Sequence, residues 1–85
     1  MDNAIKILVV EDEMIIAAKI SMLLSNLGYE VTGILPRGEE AILHIEENQP
    51  DIILLDINLK GELDGIQTAA IIQQKNIPVI FLTAN

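Results

Sequence analysis

The chain has no cysteine and no tryptophan, and only one phenylalanine and one tyrosine in 85 residues. Without cysteine, disulfides and thiolate metal sites are excluded, which agrees with a reducing cytoplasm. Positive charge is also scarce. Five lysines and arginines stand against 13 aspartates and glutamates, for a net charge of −8. A chain of that sign lacks the basic patch that direct binding to nucleic acid or to an anionic membrane needs. No apolar run reaches about 18 residues, so no transmembrane helix is expected. Met1 is followed by polar residues and not by a signal-peptide core. There is no internal repeat, low-complexity segment or linker, and the length allows one domain.

Aliphatic residues take up what the aromatics leave. Of all residues, 51% are apolar, a bias that suits a parallel sheet buried on both faces. Ile5 to Val10 reads as a central strand. Asp12 is placed to cap a helix over 14–27, in which Ile16, Ile20, Leu23, Leu24 and Leu27 fall at helical spacing. Gly28 sits where a helix stops. Glu30 to Ile34 alternates weakly and reads as a second strand, punctuated by Pro36 and Gly38. Glu39 and Glu40 favour the first turn of a second helix, with Ala41, Ile42 and Ile45 inward, ended by Asn48-Gln49-Pro50. Ile52 to Asp56 is the third strand, 57–64 a polar loop, and 65–75 a third helix with Ile66, Ala69 and Ile72 in phase. Pro78 to Leu82 is the fourth strand, with Thr83 at its tip. The order βαβαβαβ implies right-handed crossovers and a parallel sheet.

Three of these strands end in polar residues. The first runs into Glu11-Asp12-Glu13, the third closes on Asp56, and the fourth on Thr83. Taken singly, each has a plain structural explanation. Acids favour a helix N-terminus, aspartate starts turns and threonine suits strands. In a parallel α/β sheet, however, strand C-terminal ends share one edge, where ligands bind. Glu11, Asp12 and Asp56 should therefore meet, and a hard divalent cation is the simplest way to neutralise them. His44, among Glu39, Glu40, Glu46 and Glu47, reads as a structural or surface residue on a solvated helix face. Leu43, Ala70 and Ile71 are apolar at positions expected to be exposed.

Val9-Val10-Glu11-Asp12-Glu13, Leu54-Leu55-Asp56-Ile57-Asn58, Leu63-Asp64-Gly65-Ile66 and Pro78-Val79-Ile80-Phe81-Leu82-Thr83-Ala84 resemble the receiver domain of two-component response regulators. The resemblance covers essentially the whole chain, with each motif in order. It implies a flavodoxin-like, doubly wound parallel sheet with strand order 2-1-3-4. It implies that Asp56 is the phosphoacceptor and that a histidine kinase or phosphotransfer protein supplies the phosphoryl group. Asp12, Glu11, Asp56 and the backbone carbonyl of Asn58 would hold Mg²⁺, and Thr83 would be the switch hydroxyl. Such a protein is a cytoplasmic signalling module and not an enzyme in the usual sense, although it takes part in its own phosphorylation.

The sequence departs from the family pattern in two places. Where receivers commonly carry Met-Pro-Gly, this chain has Leu59-Lys60-Gly61-Glu62, and the loop is one residue longer before Asp64-Gly65. The chain also stops at Asn85, before the helix, strand and helix that complete a receiver. On this reading, residues 1–85 are a truncated receiver or a cut fragment, and none of Lys6, Lys19, Lys60 or Lys75 takes the place of the lysine expected after a fifth strand. The alternative is a non-phosphorylated interaction or dimerisation module of the same fold. A flavin or nucleotide binder is disfavoured, because the first βα turn has acids where a phosphate loop would be. An open, apolar fourth strand predicts a homo-oligomer built on that edge or on an uncovered sheet face.

Overall fold

The computed structural model describes residues 4–82. Seven elements alternate as expected: β1 (Lys6–Val10), α1 (Met14–Asn26), β2 (Glu30–Leu35), α2 (Gly38–Glu47), β3 (Ile52–Asp56), α3 (Gly65–Gln73) and β4 (Val79–Leu82). The strands form one parallel sheet in the order β2-β1-β3-β4. This is the flavodoxin-like arrangement expected from the sequence.

Alternation along β1 and β3 divides the core between the two sheet faces. Leu8, Val10, Ile53 and Leu55 pack with Ala41 and Ile45 of α2 and with Ala69 and Ile72 of α3. Ile7, Val9 and Leu54 pack with Ala17 of α1, bordered by Ile20, Leu24, Val31 and Ile34. One face is thus covered by two helices and the other by α1. By the same alternation Asp56 falls on the α1 side, the side of Leu54.

β2 explains its own weak sequence pattern. Its pairing with β1 is interrupted between Ile7 and Leu8: Ile7 aligns with Val31, while Leu8 aligns with Gly33. Thr32 is the extra residue of a β-bulge. Val31 and Ile34, three apart, therefore share the α1 face. Gly33 faces α2, where the His44 ring comes to 3.6 Å from the space a Cβ would occupy. His44 is consequently half-buried against β2 and not on a fully solvated face, and its Nε2 is buried.

Helix details differ from expectation in three places. Asp12 does not cap α1. The N-cap is Glu13, which makes no side-chain capping bond. Leu23 and Leu27 are exposed, because the buried stripe runs through Ala17 with Ile16, Ile20 and Leu24 half-buried beside it. In α3 the inward face is Gly65, Thr68, Ala69 and Ile72, and Ile66 is exposed. Small residues set this face because α2 and the β3 end approach closely. A Cβ on Gly38 would collide with the hydroxyl of the fully buried Thr68. Leu43 and Ala70 are exposed as expected, and Ile71 is half-buried. Gly28 ends α1 with φ +97°, donating its N–H to the Ser25 carbonyl at 3.1 Å.

Candidate functional site

Three strand ends build the site. Glu11 follows β1 and is fixed by its backbone N–H, which donates to the Leu35 carbonyl at the end of β2 (2.9 Å). Asp56 is the last residue of β3, and the next N–H, that of Ile57, donates to the Leu82 carbonyl of β4 (3.3 Å). The sheet thus holds both backbones while their side chains leave its edge.

The carboxylates converge. Glu11, Asp12 and Asp56 each place an oxygen within 4.8 Å of the others. Glu11 is 4% exposed and Asp56 8%. Each accepts one backbone hydrogen bond from the residue two ahead: Glu13 N–H to Glu11 Oε2 (3.1 Å) and Asn58 N–H to Asp56 Oδ1 (3.0 Å). They open into a cleft of about 360 Å³, also lined by Glu13, Ile16, Ile20, Asn58, Lys60 and Leu82.

Burial pushes the Glu11 carboxyl up to about 7, with the Asp56 charge adding to the rise and the Glu13 N–H opposing it. No cation is among the influences on Glu11. The expected repulsion is therefore present, but loss of water around Glu11 outweighs it. Buried, hard oxygen donors without a cationic partner are the donor set that suits a small divalent ion. Glu11, Asp12, Asp56 and the Asn58 carbonyl are the groups that could hold one.

The structure brings together Glu11, Asp12, Asp56 and Asn58 as expected. Thr83 lies outside the described residues, although Leu82, its neighbour in the chain, lines the cleft. Two residues of the Leu63-Asp64-Gly65-Ile66 motif support the site in roles that the sequence does not state. Asp64 caps α3 in a capping box: its Oδ1 accepts from Gln67 N–H (2.8 Å) and Gln67 Oε1 accepts from Asp64 N–H (3.0 Å). The spacing Asp64-Gly65-Ile66-Gln67 is a signature that could have revealed this. Gly65 is the second. A Cβ there would collide with the Asp56 carbonyl and lie 2.6 Å from Ile57 Cα. The start of α3 is thus pressed against the backbone of the phosphoacceptor candidate, and only glycine permits it.

Comparison with known proteins agrees with this geometry. The model of the response regulator receiver domain family matches residues 7–85. The protein-glutamate methylesterase/protein-glutamine glutaminase of Trichodesmium erythraeum (strain IMS101) is 38% identical over 82 residues, which cover 93% of this chain and 23% of that protein. The signal receiver domain of a modulated diguanylate cyclase from Desulfovibrio desulfuricans G20 superposes with a TM-score of 0.90 at 43% identity, over 95% of this chain and 66% of that one. The anti-anti-sigma factor PhyR complexed with the anti-sigma factor NepR, from Bartonella quintana, gives a TM-score of 0.87 at 37% identity, over 98% of this chain and 35% of that one. The chain spans about a quarter of the length of the methylesterase and about a third of PhyR. Among the described residues no helix is long and apolar enough to cross a membrane. Sheet order, acidic cleft and sequence match converge on one assignment: the chain belongs to the response regulator receiver domain family.

Proposed function

We propose that this receiver accepts a phosphoryl group on Asp56 from a histidine kinase or phosphotransfer protein, with Mg²⁺ held by Glu11, Asp12, Asp56 and the Asn58 carbonyl. The observation that carries the reading is the position of Asp56. Its backbone is fixed by the sheet, and its carboxylate opens into the cleft within 4.8 Å of two further acids. An Asp56 oxygen forms the new P–O bond as the P–N bond of a phosphohistidine breaks, and the electron pair leaves with the imidazole nitrogen. When bound, Mg²⁺ supplies neutralisation of phosphoryl oxygens that the acids would otherwise repel. The Asn58 N–H holds one Asp56 oxygen at 3.0 Å and so orients the other. Thr83, next after Leu82, is the proposed switch hydroxyl. A kinase donor places the chain in the cytoplasm.

Incubation with phosphoramidate and Mg²⁺ tests this by mass spectrometry. The expected result is one phosphoryl adduct on the wild type and none on Asp56→Asn. An adduct that persists in Asp56→Asn would overturn the assignment. A second reading, a partner-binding module that works without phosphorylation, draws support from the PhyR–NepR complex. A folded wild type that takes up no phosphoryl group would favour it.

We also propose that the 85-residue polypeptide self-associates. Among the described residues β4 pairs only with β3, and Ile80 and Phe81 are 51% and 39% exposed. Such an edge is a template for a second chain. Light scattering over a dilution series should show dimers or larger species, and a monomer at every micromolar concentration would refute this.

A further inference from the structure

We propose that Thr68 is a positioning residue for the acidic cleft, an inference that rests on the reading of that cleft as a Mg²⁺ site. Through its contact with Gly38, on the opposite face of the sheet, it holds Glu11 and Asp56 at their spacing.

Pairing between β1 and β3 does not by itself set that spacing. The last residues these strands pair are Val10 and Leu55, and Glu11 and Asp56 each lie one residue beyond. Their supports run outward and not toward each other. Glu11 N–H donates to the Leu35 carbonyl at the end of β2 (2.9 Å). Asp56 pairs with Leu82 of β4, on the side away from Glu11, and its carbonyl is backed by Gly65, the first residue of α3.

These two supports meet at one contact. Three residues after Leu35 comes Gly38, which opens α2, and three residues after Gly65 comes Thr68. Thr68 is fully buried, and its hydroxyl stands where a Cβ on Gly38 would be, with Thr68 Cβ and Cγ2 at 3.1 and 3.2 Å from that point. The hydroxyl is fixed in direction. It donates to the Asp64 carbonyl (2.7 Å), which also accepts from Thr68 N–H (3.0 Å). Gly38 is not at a positive φ, so its backbone does not call for glycine; the Thr68 hydroxyl does. A closed circuit results, from Glu11 through Leu35 and Gly38, across to Thr68, and back through Gly65 to Asp56. No hydrogen bond joins α2 to α3 among the described residues, so packing alone closes the circuit there. Close-packed interiors transmit a displacement instead of absorbing it. A void or an extra methyl at this contact therefore shifts the start of α2 against the start of α3, and Leu35 and Gly65 with them.

The test uses the whole 85-residue chain with Mg²⁺ as the probe. Affinity is read by calorimetry where each variant is fully folded, and stability separately by urea unfolding. Thr68→Ala should weaken Mg²⁺ about fivefold, less than the roughly 10- to 100-fold typical when a direct outer-shell partner of a ligand is lost. Thr68→Ser, which keeps the hydroxyl, should recover most of that loss. Gly38→Ala should weaken Mg²⁺ as well, through the collision. The two alanine changes together should bring affinity back to within about twofold of wild type, because the new methyl at position 38 fills the place the hydroxyl left. Ile72→Val, a void one turn further along α3, should lower stability and leave Mg²⁺ affinity unchanged. Thr68→Ala and Gly38→Ala proteins that lose stability yet bind Mg²⁺ as the wild type does would overturn the positioning role and leave the Mg²⁺ site standing. So would an Ile72→Val protein as weak as Thr68→Ala, or a double variant no better than the single ones. If Gly38→Ala fails to fold, Thr68→Ala against Thr68→Ser decides. A wild type with no Mg²⁺ affinity would overturn both readings.

Discussion

Replacing Gly65 by alanine should destabilise the protein by about 2–3 kcal/mol, the usual range for forcing a methyl into a packed site. The Cβ would meet only backbone: the Asp56 carbonyl, Ile57 Cα at 2.6 Å and the Ile57 carbonyl at 2.7 Å. Backbone cannot swing aside as a side-chain tip can. Either α3 retreats or the segment after β3 moves, and the latter carries Asp56 and Asn58 with it. Stability and cation affinity should therefore fall together in Gly65→Ala, measured by urea unfolding and by Mg²⁺ titration. Gly28→Ala provides the control. Gly28 has φ +97° and open space around it, so alanine there costs only backbone strain, about 1 kcal/mol. Its Mg²⁺ affinity should be unchanged. The close packing at α3 would be refuted if Gly65→Ala were no less stable than Gly28→Ala.

A comparable loss should come from pH alone. Glu11 has its carboxyl raised from 4.5 to about 7. Below the lower value the group is protonated in folded and unfolded chains alike and has no effect on stability. Between the two values the unfolded chain ionises while the folded chain keeps its proton, so stability declines by about 1.4 kcal/mol per pH unit. Above pH 7 both forms are ionised and the loss, up to about 3 kcal/mol, is complete. In EDTA, the wild type should thus lose stability relative to Glu11→Gln between about pH 4.5 and 7. Mg²⁺ should recover it at pH 7.5 in the wild type and much less in Glu11→Gln, since binding only the folded state stabilises it. Parallel stability curves for the two proteins from pH 4.5 to 8 in EDTA would show that Glu11 does not hold its proton in the fold.

Both effects come from a site that was largely visible in the sequence, and from packing that was not. Strand ends are legible because a run such as Ile52 to Leu55 closing on Asp56 has one sensible geometry in a parallel sheet. The meeting of Glu11, Asp12 and Asp56 follows from topology once the strands are placed. What escaped was set by contacts between distant segments. Nothing near Gly65 in the chain says that Asp56 and Ile57 lie against it. Of the α3 residues in phase, Ala69 and Ile72 face inward but Ile66 does not, because Gly65 and Thr68, which are not apolar, complete that face. Leu23 and Leu27 of α1 fall at helical spacing yet are exposed, because spacing cannot tell which side of a continuous aliphatic stripe meets the sheet. Asp12 looked like a cap because caps are aspartates, yet the chain enters α1 one residue later and leaves Asp12 to the cleft.

The bulge in β2 has a consequence for how the length of this domain can vary. Five residues of β1 pair with Glu30, Val31, Gly33, Ile34 and Leu35, and Thr32 is skipped. Loss of one residue inside a strand ordinarily turns every later side chain to the opposite face. Deleting Thr32 would instead leave a regular strand with each of those partnerships intact, including Leu35, whose carbonyl holds the Glu11 backbone. At this one position, shortening the polypeptide leaves the register unchanged, and the first acidic residue of the cleft stays where it is.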